Sequence, residues 1–370
     1  MFKGVFVDDA DEAYAGVMST PGELEFEFLK VCPLTAQALA IRERSPDVVA
    51  LDYRLDEVDA GIEAGHTYKG SGLAQLLRDV AISNPAGDFS LVLVSNETKL
   101  KAAYDPDKTA HDLFDKVYSK EEVNENRDLV RKELNALARA YETLRKMDGK
   151  FDISTILASN DLDTQQLDSQ ELRRSFESAA APHLIVRQLL RNMIERPAIL
   201  IDDHWACAML GINPEDFHLI APVLQDEGVA YTGLLGDGWR RWWSGRLEDF
   251  SERIFEDRLS GLTSAERATK LSHALGKVIR PNASPWNDSV DEYPVFSCAS
   301  CGRPAELRHS LAAYDPRAPR YATRRRICWD CIQKDTYKHL NSPLEVDETD
   351  EDLIGDVQGM ERAVPKVAYD

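Results

Sequence analysis

Val48-Val49-Ala50-Leu51-Asp52-Tyr53-Arg54-Leu55 is an apolar run that ends on a carboxylate, with Pro46 just upstream. Four consecutive apolar residues predict a strand buried on both faces, and such strands belong to parallel α/β sheets. Open sheets of that kind place their chemistry at the carboxyl ends of their strands. Asp52 therefore marks where a reactive group is expected.

The pattern repeats on either side. Gly4-Val5-Phe6-Val7 is a short apolar strand that runs straight into Asp8-Asp9, with a helix beginning near Asp11. Leu24 to Val31 reads as a second strand and Thr35 to Glu43 as a helix. Gly72 to Ile82 carries Leu73, Leu76, Leu77, Val80 and Ala81 at helical spacing. Phe89 to Val94 is a fourth buried strand ending on Ser95, and Val117-Tyr118 with Lys120 is a weaker fifth. Alternation of this kind predicts an α/β fold, a doubly wound parallel five-stranded sheet of flavodoxin-like type, over residues 1–148. Glu121 to Lys146 is a long amphipathic helix, fit for core packing or for a homodimer contact.

These residues resemble the receiver domain of bacterial response regulators. In that family an acidic pair after the first strand and a single Asp after the third hold Mg²⁺, and the single Asp takes a phosphoryl group from a histidine kinase. A hydroxyl after the fourth strand and a lysine after the fifth contact the phosphoryl oxygens. The resemblance maps the acidic pair onto Asp8 and Asp9, the phosphoacceptor onto Asp52 and the hydroxyl onto Ser95. The lysine is Lys120 or Lys116. Lys120 closes the more credible strand, because Asp115 sits poorly inside a buried one, and neither lysine is followed by the proline usual in the family. Asp56 to Gly70 reads as an insertion beside the pocket that could act as a lid.

The residue types suit the chemistry. Mg²⁺ is a hard ion that takes one or two carboxylates and phosphate oxygens. A carboxylate attacks phosphorus only when its charge is offset, and the ion and the lysine offset it. Helix N-termini also favour acids, so each of these aspartates taken singly reads as an ordinary loop residue; the argument is their order along the strands.

The chain carries 43% hydrophobic residues and a formal net charge of −20. That charge argues against a surface that coats nucleic acid throughout, though not against one basic patch. No apolar run approaches the roughly 20 residues that cross a bilayer, and the acids at 8 and 9 come too early for a signal peptide. The expected location is the cytoplasm, with no membrane partner.

Residues 149–290 read as a mostly α-helical partner or output domain. Asp152 to Asp168 is polar and turn-rich, Leu172 to Glu195 helical, and Thr263-Ser264-Ala265-Glu266 a capping box. Asp202-Asp203-His204 reads as a solvated turn sooner than as a metal site. Trp239, Arg240, Arg241, Trp242 and Trp243 lie between glycines, and such residues populate either interface hot spots or buried cores.

Cys298-Ala299-Ser300-Cys301 and Cys328-Trp329-Asp330-Cys331 are two knuckles 26 residues apart. Two such pairs complete the tetrahedral thiolate set of a structural Zn²⁺, leaving no open position for catalysis. A zinc ribbon or treble clef is expected over residues 291–340; His309 is a poor substitute ligand, and a redox role fits badly. Arg303, Arg308, Arg317, Arg320, Arg324, Arg325 and Arg326 lie in this module and could meet nucleic acid, a protein, or the acidic tail at 341–370, which is expected to be disordered.

The whole reads as an atypical response regulator, a phosphoprotein switch with no enzymatic turnover of its own. The resemblance implies a histidine-kinase-like protein or ATPase as partner, and the domain combination is similar to those of prokaryotic antiviral defence systems. An unphosphorylated scaffold and a nucleic-acid factor using the arginine-rich module stand as alternatives.

Overall fold

The computed structural model describes residues 1–55, 67–160, 163, 167, 170–340 and 342–361. Most of the expected lid, residues 56–66, lies outside these. The chain packs into two compact units: Met1–Ser159 with Gln170–Leu190 and Thr232–Trp239, and Asn160–Ser169 with Arg191–Tyr231 and Arg240–Asp370. The units cross the divisions expected near 148 and 290. Composition shifts mark where a chain is solvated, and they do not report which segments share a core.

In the first unit the strands are β1 (Phe2–Asp8), β2 (Leu24–Lys30), β3 (Val48–Leu51), β4 (Ser90–Ser95) and β5 (Lys116–Ser119). All four pairings are parallel, in the order β2-β1-β3-β4-β5. This is the flavodoxin-like order, and the fold is receiver-like α/β. β3 and β4 are buried at every position, as their unbroken apolar runs require, whereas the edge strand β2 alternates. Gly4 is required where β1 meets β2, because a Cβ there would stand 2.5 Å from the Phe26 ring.

The helices of this unit are α1 (Tyr14–Met18), α2 (Leu34–Glu43), α3 (Gly70–Ser83), α4 (Glu97–Lys99), α5 (Lys120–Glu125), α6 (Arg127–Lys146), α7 (Ile153–Leu157), α8 (Gln170–Glu177) and α9 (Pro182–Leu189). α4 runs on into a wider π turn, Leu100–Tyr104. The long helix expected from Glu121 breaks at Asn126, which leaves helical geometry at ψ 37°. The helix expected from Leu172 breaks at Ala181, which is extended, as a residue before proline prefers. Ten residues of α6 are buried, from Val130 to Leu144. The helix serves the core, and α9 packs against it.

The second unit contains β6 (Leu200–Ile201), α10 (Asp203–Leu210), α11 (Phe217–Asp226), β7 (Trp242–Trp243), α12 (Ser244–Phe255) and α13 (Ser264–Leu275). β8 (Phe296–Ser297), β9 (Pro304–Ala305), β10 (Ser310–Ala312), β11 (Arg326–Cys328), α14 (Trp329–Gln333) and α15 (Leu353–Gly359) follow. One cluster of buried side chains runs from Ile201 and Trp242 through Phe296 and Ile327 to Val357, so the helices and the cysteine-bearing strands share a core. The capping box forms between Thr263 and Glu266. Among the described residues no helix is long and apolar enough to cross a membrane.

Candidate functional site

Parallel pairing in register brings the carboxyl ends of β1, β3 and β4 to one edge of the sheet, Val7 beside Leu51 and Leu51 beside Leu93. Asp8, Asp52 and Ser95 therefore meet there, all essentially buried. Ser95 sits beside Ser119 in the next strand, and Lys120 follows. Asp8, Asp9 and Asp52 each offer a carboxylate oxygen within 4.8 Å of the others. The spread is close to the roughly 4.2 Å between opposite oxygens of an octahedral Mg²⁺, and an all-carboxylate set is what a hard cation takes.

Lys120 Nζ donates to Asp8 Oδ2 at 2.8 Å and to Asp11 Oδ2 at 3.2 Å. Asp8 Oδ1 accepts the backbone N–H groups of Ala10 and Asp11 at 2.8 and 2.9 Å. Ser95 Oγ donates to Asp52 Oδ1 at 2.5 Å. Asp52 Oδ2 faces Lys99 Nζ at 3.5 Å. The turn after Asp52 is tight: Gly70 donates to Tyr53 O at 2.8 Å, and a Cβ at Gly70 would stand 2.2 Å from Asp52 O. Only glycine lets α3 start against the backbone of Asp52.

The two buried acids are tuned apart. Burial pushes the Asp8 carboxyl up, but the hydrogen bonds from Lys120 and two backbone amides outweigh it, and Asp8 settles below the usual range. Burial dominates at Asp52, which settles above that range despite Ser95 and Lys99. Asp8 is thus the settled anion and Asp52 the more basic one, the division of labour expected between an ion holder and a nucleophile. Burial lowers the Lys120 ammonium, but Asp8 and Asp11 more than restore it, and the net shift is upward.

Lys116 opens β5 opposite Val92, at the far end of the strand from this pocket; Lys120 is the lysine that reaches it. Lys99 and Asp11 complete the pocket and were not among the residues expected. A lysine one helical turn beyond Ser95 was the available signal.

The four cysteines form a second cluster. Cys298 and Cys331 Sγ are 3.8 Å apart, and Cys301 and Cys328 Sγ 3.9 Å. A tetrahedral ion with metal–sulfur bonds of about 2.3 Å requires sulfurs about 3.8 Å apart. The set is arranged to hold a metal ion. Cys298 Sγ accepts the N–H groups of Ser300 and Cys328 at 3.4 and 3.2 Å, which favours thiolate. Gly302, at φ 71°, closes the first knuckle.

His309 lies elsewhere. Its Nδ1 is 3.0 Å from Glu292 and 2.9 Å from Glu306, and its ring packs against Trp286 and Trp329. Arg308 also pairs with Glu306, so two carboxylates meet two basic groups. Asp202 caps α10 through the Trp205 N–H, and Asp203 pairs with Arg240 and accepts from Trp242 Nε1 at 2.7 Å. The contacts of Asp202 and Asp203 are structural.

The tryptophan-rich stretch is not an exposed docking patch. Trp242 and Trp243 are fully buried, and Trp239 nearly so. Residues 342–361 of the acidic tail depart from the expected disorder, since they carry α15 and two of their acids answer arginines, while 341 and 362–370 lie outside the described residues. Asp347 pairs with Arg324 at 2.9 Å, and Asp350 accepts the Ala312 N–H at 2.7 Å near Arg326.

The sheet order and the acid pocket define a receiver-like fold. No family model and no curated protein matches this chain. It is similar to a crystal structure of NtrX from Brucella abortus, at 17% identity and a TM-score of 0.29, over 45% of this chain and 33% of that one. A second crystal structure of that NtrX, in complex with ATP, matches at 13% identity and a TM-score of 0.28, over 57% and 46%. The chain thus spans about a third of the first and under half of the second.

Proposed function

We propose that this protein is an atypical response regulator in which Asp52 accepts a phosphoryl group, and that the charge state of the pocket biases contacts made by the rest of the chain. One observation carries the reading: a buried aspartate of raised basicity stands at the switch point of a parallel sheet, against an acid pair, a hydroxyl and a lysine.

An oxygen of Asp52 bonds to phosphorus while the donor's bond to phosphorus breaks. The donor is a phosphohistidine imidazole or a small acyl phosphate, and its leaving group keeps the electron pair. Mg²⁺ on Asp8, Asp9 and Asp52 would neutralise the oxygens that crowd together as this happens. Ser95, now spent on Asp52 Oδ1, is placed to donate to a phosphoryl oxygen. Lys120 supplies a fixed positive charge beside Asp8. Such positioning and charge stabilisation are the main demands of phosphoryl transfer.

The cysteine cluster supports a structural Zn²⁺. The order of knuckle, β10–β11 hairpin and α14, which supplies Cys328 and Cys331 at its start, favours a treble clef over a ribbon. The partner implied is a histidine-kinase-like protein.

The test is incubation with a small acyl phosphate and Mg²⁺, read by intact mass. The expected result is a gain of one phosphoryl group that is absent in Asp52→Asn. No gain under conditions where Mg²⁺ binds would leave the scaffold reading in its place.

A further inference from the structure

Lys99 stands outside the acid, hydroxyl and lysine pattern, yet it faces the acceptor itself. It closes α4, four residues after Ser95, and its Nζ lies 3.5 Å from Asp52 Oδ2. Ser95 holds the other oxygen of that carboxylate. Lys120 is meanwhile bonded to Asp8 and Asp11. The two lysines thus divide the pocket between them, one on the metal-holding acid and one on the acceptor. Among the described residues, Asp8, Asp9, Asp11 and Asp52 bring their carboxylates to the part of the fold where the ammonium groups of Lys99 and Lys120 lie.

The segment beyond Lys99 is tied to the acceptor's neighbour. α4 gives way to the π turn Leu100–Tyr104, an irregularity found often at functional sites. The Tyr53 hydroxyl donates toward Ala103 O and Asp107 Oδ2, each at 3.1 Å, and its ring meets Tyr104 edge-on at 5.9 Å. Residues 52 and 53 therefore hold the stretch from 99 to 107 at both ends.

Resting on the phosphoacceptor reading above, we propose that Lys99 is a second phosphoryl-binding cation, which leaves Asp52 Oδ2 for a phosphoryl oxygen once Asp52 is modified. Formation of the acyl phosphate removes the carboxylate charge that Lys99 faces and places about two negative charges on the phosphoryl oxygens. Lys120 already bridges Asp8 and Asp11, whereas Lys99 faces an oxygen of the group that changes. Its side chain is 24% exposed at the mouth of the pocket, so the ammonium can follow the charge without unpacking the core. The shift would move α4 against the anchor that Tyr53 provides.

The experiment compares the full chain with Lys99→Met and Lys99→Arg, measuring by calorimetry the affinity for Mg²⁺ alone and for beryllium fluoride, a phosphoryl mimic, with Mg²⁺ present. Lys99→Met is expected to weaken the mimic roughly tenfold to a hundredfold, the range for a lost charged hydrogen bond. It is expected to tighten Mg²⁺ about severalfold, because a cation beside the ion is gone. Lys99→Arg should restore binding of the mimic. Opposite signs cannot come from a damaged fold, which would weaken both. Unchanged affinity for the mimic, or loss of both ligands, overturns the assignment of Lys99 alone. A wild-type chain that binds neither ligand and gains no phosphate overturns the phosphoacceptor reading, and this assignment with it.

Discussion

His183 turns its backbone N–H and its ring Nδ1 onto one oxygen of Asp88, each at 2.8 Å. The other Asp88 oxygen takes Arg78 at 3.2 Å, and Arg78, itself buried, also pairs with Asp115 at 3.0 Å. Asp115 accepts from Tyr141 at 2.8 Å and from Ser90 at 2.9 Å. Asp88 and Asp115 precede β4 and β5, so this network sits at the amino end of the sheet, opposite the acid pocket. It fastens α3, α6 and α9 to the strands at one point, with two carboxylates set against an arginine and a histidine. One end of the sheet thus sets its aspartates against an arginine and a histidine, and the other gathers Asp8, Asp9 and Asp52 together.

Asp88→Asn should therefore be costly. Burial pushes the Asp88 carboxyl up, but the bond from His183 and the charge of Arg78 hold it below the usual range. Removing the charge leaves buried Arg78 short of a partner, which typically costs about 3–5 kcal/mol. Because the folded form holds this carboxyl ionised, its contribution is present above the ordinary carboxylate pKa and is lost as pH falls through the lower folded value. Urea unfolding at pH 7 should show the full loss in the variant. Repeated toward pH 3, it should show the two proteins converging.

Asp52→Asn should do the opposite. The Asp52 carboxyl is raised by burial, so at neutral pH the fold bears the cost of an ionised group that water has left. The asparagine removes that cost and can still accept from Ser95. A gain on the order of 1 kcal/mol is expected at pH 7, as is common where a functional group is deleted. The sign follows from linkage: once pH falls below the ordinary carboxylate value, both proteins carry a neutral group and the gain disappears. Thermal melts at pH 7 and pH 3.5 check this, and a variant less stable than wild type at pH 7 would contradict it.

The sheet was legible because a parallel strand buried on both faces admits no polar residue until it ends. Val48 to Leu51 and Leu91 to Val94 therefore mark both the strands and the positions of Asp52 and Ser95. Lys99 was not legible, since its approach to Asp52 depends on how a three-residue helix is rotated. Trp242 and Trp243 misled for a different reason: tryptophan is enriched in cores and interfaces alike, and the composition does not reveal that Asp203 answers the Trp242 indole from within. Asp347 and Asp350 belong to an acidic run that resembles a disordered tail, and only the fold brings Arg324 and Arg326 to them. His183 had no signal either, because one histidine after a proline looks like any other.

Arg267 lies in the second unit, fully buried, and no carboxylate pairs with it among the described residues. Its guanidinium donates instead to backbone carbonyls: Met209 at 3.0 Å and Ala208 at 3.4 Å in the last turn of α10, Pro294 at 2.8 Å, and Leu259. The helix end attracts the cation through its dipole, and burial brings the Arg267 pKa down to about 10. Arg267→Met strands these buried acceptors and should destabilise by about 3 kcal/mol or more. Arg267→Lys should lose nearly as much, because a single ammonium does not span sites that a planar fork reaches together. Equilibrium denaturation of the full chain, with tryptophan emission as the probe, measures both. A lysine variant as stable as wild type would show that charge alone, and not the fork, is what the helix end needs.

The cysteine cluster makes the last prediction. Cys298, Cys328 and Cys331 are buried beside Phe296, Ile327, Ile332 and Tyr337, while Cys301 is exposed. Four thiols this close repel one another as thiolates unless a cation joins them, so folding of this core is expected to depend on the ion. The full chain should release one Zn²⁺ when its thiols are modified, and Cys301 should react first. A strong chelator at pH 7 should loosen the core shared by Phe296, Ile327 and Val357, seen as faster amide exchange there, while the network around Asp88 stays protected. Cys298→Ser should reproduce that state without chelator, since it removes the sulfur that accepts two backbone N–H groups. Four thiols that alkylate freely in a chain that keeps its amide protection and carries no metal would show that this core stands on packing alone.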